Sequence, residues 1–347
     1  MDGMKRYFKR AFGCFALLGV LFSLCGCACG EISLRRAHGL TKVTVQVDGA
    51  AVPYYAPLYV AKEKGYFARE GLDVSFIYAD ASTVLKNVAV GNVEFGFPNG
   101  DSVVSAIANG VPIGVVHTTY QQGIGAILSL EGNPVRKPAD LKGKTVAVTG
   151  LGSPNFVQLQ ALAAKNGFSL RNDLTLKTVG TSAITQALQG GEADAIIFSR
   201  VRYFAMKNKG VPVHEIPLER YFPSYGNVLV ANRYLIDRYP QTVRGFIRAL
   251  DASLSDLTHG KLAGGVKIAM RYAPGFKGEE KQVLQTMNEL FVGDLWQSDL
   301  TRRRGFGFSD PKKWQSIADL QYRYGLIDTP VKMKDYVFQP DYFQAKK

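Results

Sequence analysis

Residues 41–100 run strand, helix, strand, helix, strand, and that order leaves few folds open. Val43, Val45 and Val47 alternate with polar residues, the period-two signature of a strand. Pro57 suits a first helical turn, where its missing N–H costs nothing; Leu58 and Ala61 continue at helical spacing, and Gly65 can close the helix. Residues 73–78 and 93–97 predict two further strands. Such an order requires a parallel sheet, with the loops at the strand C-termini gathered on one edge. The rhythm recurs from Lys144 to Phe198, with strands predicted over 144–149, 174–179 and 193–198 and helices over 156–166 and 183–189. In each half a glycine turn (Gly91-Asn92, Gly190-Gly191-Glu192) precedes the third strand, so two like lobes are expected. Further strands are predicted over 113–119, 124–130 and 226–231. Lobe one is placed at 41–122 and 229–347, lobe two at 123–228. From Lys261 onward the pattern is helical, is expected to pack the outside of lobe one, and offers no chemistry.

The first 27 residues read as a lipoprotein signal peptide. Lys5, Arg6, Lys9 and Arg10 form a basic start, and residues 11–24 are an apolar run too short for an ordinary membrane span. Leu24-Cys25-Gly26-Cys27 then resembles a bacterial lipobox, in which Cys27 carries the lipid; Cys29 is the alternative. Residues 28–40 read as a tether. All four cysteines lie within the first 29 residues, so the body has no disulfide or thiol chemistry and an exported chain of this kind depends on its own core.

The net charge is +13. Six basic and two acidic side chains in the first 40 residues account for +4 of it, leaving +9 spread over the remainder with one dense run at Arg302-Arg303-Arg304. No nucleic-acid-binding motif accompanies that charge, and an export signal argues against nucleic acid as a partner. A face tolerant of anionic headgroups is the simpler reading. Catalytic signatures fail in turn. Gly143-Lys144-Thr145 resembles the end of a P-loop, but Pro138 stands where its first glycine belongs and a strand follows where a helix is needed. The histidines, His38, His117, His214 and His259, have no His, Cys or paired carboxylate at ligand spacing, so no metal is expected. No cofactor is expected, and no enzyme signature is found.

Candidate binding residues cluster at predicted strand ends. Asp48 is a lone carboxylate after the first strand, placed either to cap the next segment or to meet a ligand amine. Tyr54 and Tyr55 sit in the loop that follows, Phe97 ends the third strand, and Tyr120 stands at the crossing. In lobe two, Gly150-Leu151-Gly152-Ser153-Pro154-Asn155 opens a helix whose free N–H groups suit polar ligand atoms, with Ser153 and Asn155 as donors and Phe156 next to them. Phe198 ends a strand, and Tyr221, Phe222 and Tyr225 precede the return. Rings converging on one cleft point to a flat ligand stacked between them. Arg200 and Arg202 follow Phe198; one of them could pair with a carboxylate, sulfonate or phosphate, Arg200 being the candidate, and surface solvation is the alternative.

Residues 56–74 (APLYVAKEKGYFAREGLDV) and 88–97 (VAVGNVEFGF) resemble the opening of the substrate-binding proteins of bacterial ABC importers. The group most similar binds thiamine-pyrimidine precursors, sulfonates, nitrate and taurine, and the resemblance runs from about Thr41 to about Leu326. It implies an α/β, two-lobed periplasmic-binding-protein type II fold with two crossing segments, hinge closure on a small molecule, and delivery to ABC permease subunits by a monomer held at the membrane by its lipid, facing periplasm or cell exterior. The family's ligand loops map onto Asp48 to Tyr55, onto Pro98, Asn99 and Asp101, and onto Gly152, Ser153 and Asn155. Two departures stand out: pyrimidine-precursor binders usually carry Trp and His in the first loop, where this chain has Tyr54 and Tyr55, and their lobe-two strand often ends in a Glu-Pro-type turn, where this one has Ser199-Arg200. The implied ligand is a small flat heterocycle, a thiamine-type pyrimidine precursor or riboflavin. Alkanesulfonate, taurine or nitrate-like anions are the alternative, and an enzyme resembling thiamine-pyrimidine synthases would need a reactive His or Cys cluster absent from this sequence.

Overall fold

The computed structural model describes residues 32–151 and 153–345. Its strands in chain order are β1 (Arg36–Ala37), β2 (Leu40–Asp48), β3 (Leu72–Ala79), β4 (Phe95–Phe97), β5 (Ile113–His117), β6 (Gly125–Leu130), β7 (Thr145–Val148), β8 (Thr175–Thr178), β9 (Ala195–Ser199), β10 (Val213–Pro217) and β11 (Leu229–Asn232). One sheet has the order β1-β2-β4-β11-β5, with β3 also paired to β2; the other has the order β10-β6-β9-β7-β8. The βαβ connections make β2 parallel to both β3 and β4, and β7 parallel to β8 and β9, while β11 lies antiparallel between β4 and β5. The chain leaves the first sheet after His117 and returns to it at Leu229, so the two lobes are joined by two crossing segments.

Local chemistry explains the elements that frame the cleft. Val43, Val45 and Val47 are buried on one face of β2. Gln46, on the other face, is buried as well, because parallel strands are covered on both sides; its Oε1 accepts from Asn87 Nδ2 at 2.8 Å. The helix Ala56–Glu63 begins beside Pro57, and Gly65 follows it in the left-handed region at φ 68°. The helix Gly100–Ala108 is capped by Asn99, whose side chain accepts from Ser102 N at 2.9 Å.

Three expectations change. Residues 32–40 are more than a tether: Ile32 is buried and β1 pairs with the start of β2. The tail packs on the first lobe through Trp296 and Trp314, but it also reaches the second, where Leu320, Tyr324 and Leu326 lie against a core that includes Phe222. Its helices also wall the cleft. Cys27 and the rest of the signal segment lie outside the described residues. Among the described residues, no helix is long and apolar enough to cross a membrane and no His, Cys, Asp and Glu cluster is arranged to hold a metal ion.

The seam between β5 and the chain's last turns has no spare volume. A Cβ on Gly114 would stand 2.6 Å from Phe338 Cε2 and 2.7 Å from Ile236 Cδ1. Gly114→Ala is therefore expected to cost about 1–3 kcal/mol of stability by overpacking, measured as a shift in the urea midpoint with unchanged slope.

Candidate functional site

Loops at the C-terminal ends of β2, β4 and β9 open onto one cavity of about 440 Å³ between the lobes. Its size falls within the ordinary range for sites that take small organic ligands.

A polar end is built from the first lobe. Asp48 closes β2; its backbone carbonyl accepts the Tyr55 hydroxyl at 2.5 Å and its Oδ2 accepts Asn99 Nδ2 at 3.3 Å. Burial pushes the Asp48 carboxyl up to about 6, against the Asn99 hydrogen bond, with Asp80 raising it further. Asp101, in the first turn of the helix that Asn99 caps, accepts from Gln158 Nε2 at 2.9 Å and from Ser224 Oγ at 3.0 Å. Burial pushes it too up to about 6, against the Gln158 and Ser224 hydrogen bonds. Gln158 belongs to the helix Pro154–Asn166 of the second lobe, so Asp101 joins the two lobes across the cleft floor. With its amide nitrogen committed to Asp101, Gln158 leaves a buried Oε1 that accepts no hydrogen bond among the described residues.

An aromatic wall lies beside it. The Tyr54 and Phe291 rings stack at 5.1 Å with 2° between planes, and Phe276 meets Tyr54 edge-on at 5.9 Å. Tyr120 donates its hydroxyl to the Tyr54 carbonyl at 2.8 Å and sets its ring edge-on to Phe291 at 5.5 Å, fixing the wall from behind. Burial pushes the Tyr54 hydroxyl up to about 12, and the Arg202 guanidinium is the strongest influence lowering it. Phe198, at the end of β9, faces the cavity from the second lobe.

Ten of the sequence candidates line this cavity: Asp48, Tyr54, Tyr55, Asn99, Asp101, Tyr120, Asn155, Phe198, Arg202 and Tyr225. Six do not; of these, Tyr221 and Phe222 pack with the second lobe's core. Phe97 is fully buried, with Tyr55 and Tyr120 edge-on to its ring at 6.0 and 5.9 Å. Ser153 spends its hydroxyl on its own turn, accepting from Phe156 N at 3.2 Å and donating to Gly150 O at 2.7 Å. Phe156 packs against the second lobe's core. Arg200 is buried between Glu215, 3.0 Å from its Nε, and Asp294, 3.3 Å from its second terminal nitrogen. Its neighbour but one, Arg202, lines the cavity instead.

Sequence reading missed one wall entirely. Phe276, Glu279, Gln282, Thr286 and Phe291 come from the tail, part of it a π-helix over Met287–Leu295. Helices of this kind recur at functional sites. The tail meets the second-lobe helix Arg200–Asn208 through Lys209–Glu279 at 2.9 Å, Lys207–Glu289 at 3.3 Å and Asn208 Nδ2 to Thr286 Oγ1 at 3.2 Å. No local signal marks these residues, because their apolar spacing is that of any packed helix.

Comparison with known proteins agrees with this architecture. A family model described as NMT1/THI5 like matches residues 52–259. A protein of Chloroflexus aurantiacus named riboflavin-binding protein RibY is 28% identical over 302 residues, covering 85% of this chain and 84% of that one. A formylaminopyrimidine-binding protein of Halalkalibacterium halodurans is 26% identical over 335 residues, covering 94% and 98%. Among solved structures, the periplasmic aliphatic sulphonate binding protein SsuA from Escherichia coli superposes with a TM-score of 0.68 at 17% identity, over 88% of this chain and 94% of that one, which shows the shared periplasmic-binding-protein fold.

Proposed function

The chain belongs to the NMT1/THI5-like family, and from that premise we propose that it is the solute-binding component of an ABC importer whose ligand is a small flat heterocycle, a thiamine-type pyrimidine precursor or riboflavin. Two relatives named for riboflavin and formylaminopyrimidine binding support the ligand class. The observation that carries the reading is the pairing, in one interlobe cavity, of the Tyr54–Phe291 ring wall with a polar end of acceptors, Asp48, Asp101 and Gln158 Oε1. Rings hold a planar ligand by its faces, and edge acceptors read its N–H groups. A bare sulfonate or nitrate suits this cavity less well, since it would bring negative charge to two half-buried carboxyls and leave the aromatic wall uncovered. In this reading the mature protein begins at Cys27, is tethered by its lipid on the outer side of a bacterial membrane, works as a monomer and hands its ligand to permease subunits.

The test is to purify the exported protein, denature it, and take mass and absorbance spectra of whatever it releases, then titrate the refolded protein with riboflavin and with a 4-amino-5-hydroxymethylpyrimidine. One of the two is expected to raise the melting midpoint, because a ligand bound only by the native state stabilises it. If neither moves the midpoint and no aromatic compound is released, the heterocycle reading is wrong.

A further inference from the structure

The five charged side chains lining the cavity are not equivalent. Lys209 is paired with Glu279 at 2.9 Å. Asp48 and Asp101 take hydrogen bonds from neutral groups, Asn99, Gln158 and Ser224. Arg202 forms no ion pair among the described residues; its guanidinium lies 5.7 Å from the centroid of the Phe198 ring, which leaves its N–H fork unspent. The helix that carries it sorts its two arginines by face. Val201, Arg202, Ala205 and Lys209 line the cavity, whereas Arg200, two residues back and so turned to the other side, is consumed by Glu215 and Asp294.

The charge is also placed apart from the acceptors. Asp80 is the charge bearing most on Asp48, and Glu219 and Lys313 are those bearing most on Asp101. Arg202 acts instead on the Tyr54 hydroxyl, beside the Phe276 and Phe291 rings. The cavity thus has an accepting end at the strand termini of the first lobe and a cationic point on the second lobe's helix, with the ring wall alongside. A neutral ring filling this space would strip water from a half-buried guanidinium and return at most neutral hydrogen bonds or a ring face, weaker than an anion's contact.

We propose that Arg202 is a specificity-determining residue that seats an anionic group of the ligand, so that the preferred solute is a flat, donor-bearing heterocycle extended by a phosphate, sulfonate or carboxylate. This rests on the heterocycle-binding reading above and narrows it. A phosphate or carboxylate offers the planar or trigonal oxygen pairs that a guanidinium fork matches, and a charge-assisted contact in a partly enclosed cleft outweighs the same contact at a fully exposed surface. A lysine at the same position would keep the charge and lose the fork.

Calorimetric titration of paired ligands tests it: riboflavin against riboflavin 5′-phosphate, and a 4-amino-5-hydroxymethylpyrimidine against its phosphate ester, with the wild-type protein and with Arg202→Gln and Arg202→Lys. In the wild type the ester of the accepted ring is expected to bind about tenfold or more tightly than its alcohol, as a charge-assisted contact warrants. Arg202→Gln is expected to bring the two affinities together by weakening the ester alone, Arg202→Lys to keep part of the gap, and both variants to melt within a few degrees of wild type. Equal affinity for ester and alcohol in the wild type, or a gap that survives Arg202→Gln, overturns the anion seat and leaves the heterocycle reading standing. Failure of both members of both pairs to bind overturns the two together.

Discussion

Arg200→Met is expected to lower the unfolding free energy by about 3–5 kcal/mol, the usual cost of removing one partner from a buried ion pair. Arg200 is 8% exposed, and the Glu215 side chain that accepts its Nε at 3.0 Å is 10% exposed. Burial already raises the Glu215 carboxyl above its usual range, and Arg200 is the strongest influence holding it down, ahead of Arg220. Without Arg200 that carboxylate stays in β10 with no hydrogen-bonded cation, and its folded-state pKa rises further. A carboxyl raised in the folded state binds its proton there more readily than in the unfolded chain. The variant's deficit should therefore be largest near neutral pH and shrink as the solution is acidified. The Asp294 arm contributes little, because that side chain is 44% exposed: Asp294→Asn alone should stay within about 1 kcal/mol of wild type. Arg200→Met combined with Glu215→Leu should recover most of the loss, since an apolar pair of similar volume replaces the ionic one. Urea unfolding of the four proteins is the measurement; a cost under about 1 kcal/mol for Arg200→Met would mean that water reaches Glu215.

Arg200 and Arg202 show what the chain makes legible and what it withholds. Strand and helix chemistry is local, so the alternation of Val43, Val45 and Val47, the proline at 57 and the glycine at 65 sufficed for the first βαβ unit. Parallel strands end on one edge, so the loops after β2 and β4 had to meet, and Asp48, Tyr54, Tyr55, Asn99 and Asp101 all reached the cavity. Direction around a helix is a different matter. Each residue turns the side chain by about 100°, so residues two apart face nearly opposite ways. Arg200 and Arg202 are therefore indistinguishable until the helix is docked, and so are Ser153, Asn155 and Phe156 in one first turn. Phe97 failed for the strand version of the same reason: β4 is covered on both faces, so a ring at its end is as much core as rim. The wall of Phe276, Thr286 and Phe291 was beyond reach altogether. Its position depends on where the tail returns in space, more than 200 residues after Tyr54, and apolar helical spacing says only that something is packed.

Replacing Asp48 and Asp101 together by asparagine is expected to make the empty protein more stable at pH 7 and nearly unable to bind. Both carboxyls are held at about 6 in the folded protein against an ordinary 3.8, burial being the first cause for each. A folded-state pKa above the unfolded one means that the folded state binds more protons in between. The stability these groups allow is therefore complete below about pH 4 and is lost as the pH rises through 6. Each gap corresponds to about 3 kcal/mol once the carboxyl is fully ionised, so the pair weighs several kcal/mol against the empty fold at neutral pH. The partners that oppose burial are all neutral for Asp48, where Asp80 adds repulsion; for Asp101, Glu219 repels and Lys313 offsets it only in part, since its ammonium is hydrogen-bonded to Glu219 at 2.6 Å. Nothing in the core requires this arrangement, because asparagine can still accept from Asn99 at position 48 and from Gln158 or Ser224 at position 101. In the proposed function the N–H groups of the ligand supply the missing donors and draw both carboxyls back toward full ionisation. Unfolding free energies measured from pH 4 to 7 should fall with rising pH in the wild type and stay comparatively flat in the double variant, while the affinity for the accepted heterocycle drops by about a hundredfold or more. Parallel pH profiles would mean that both carboxyls are solvated in the empty cavity; a flat profile with binding intact would place the ligand's donors elsewhere on the wall.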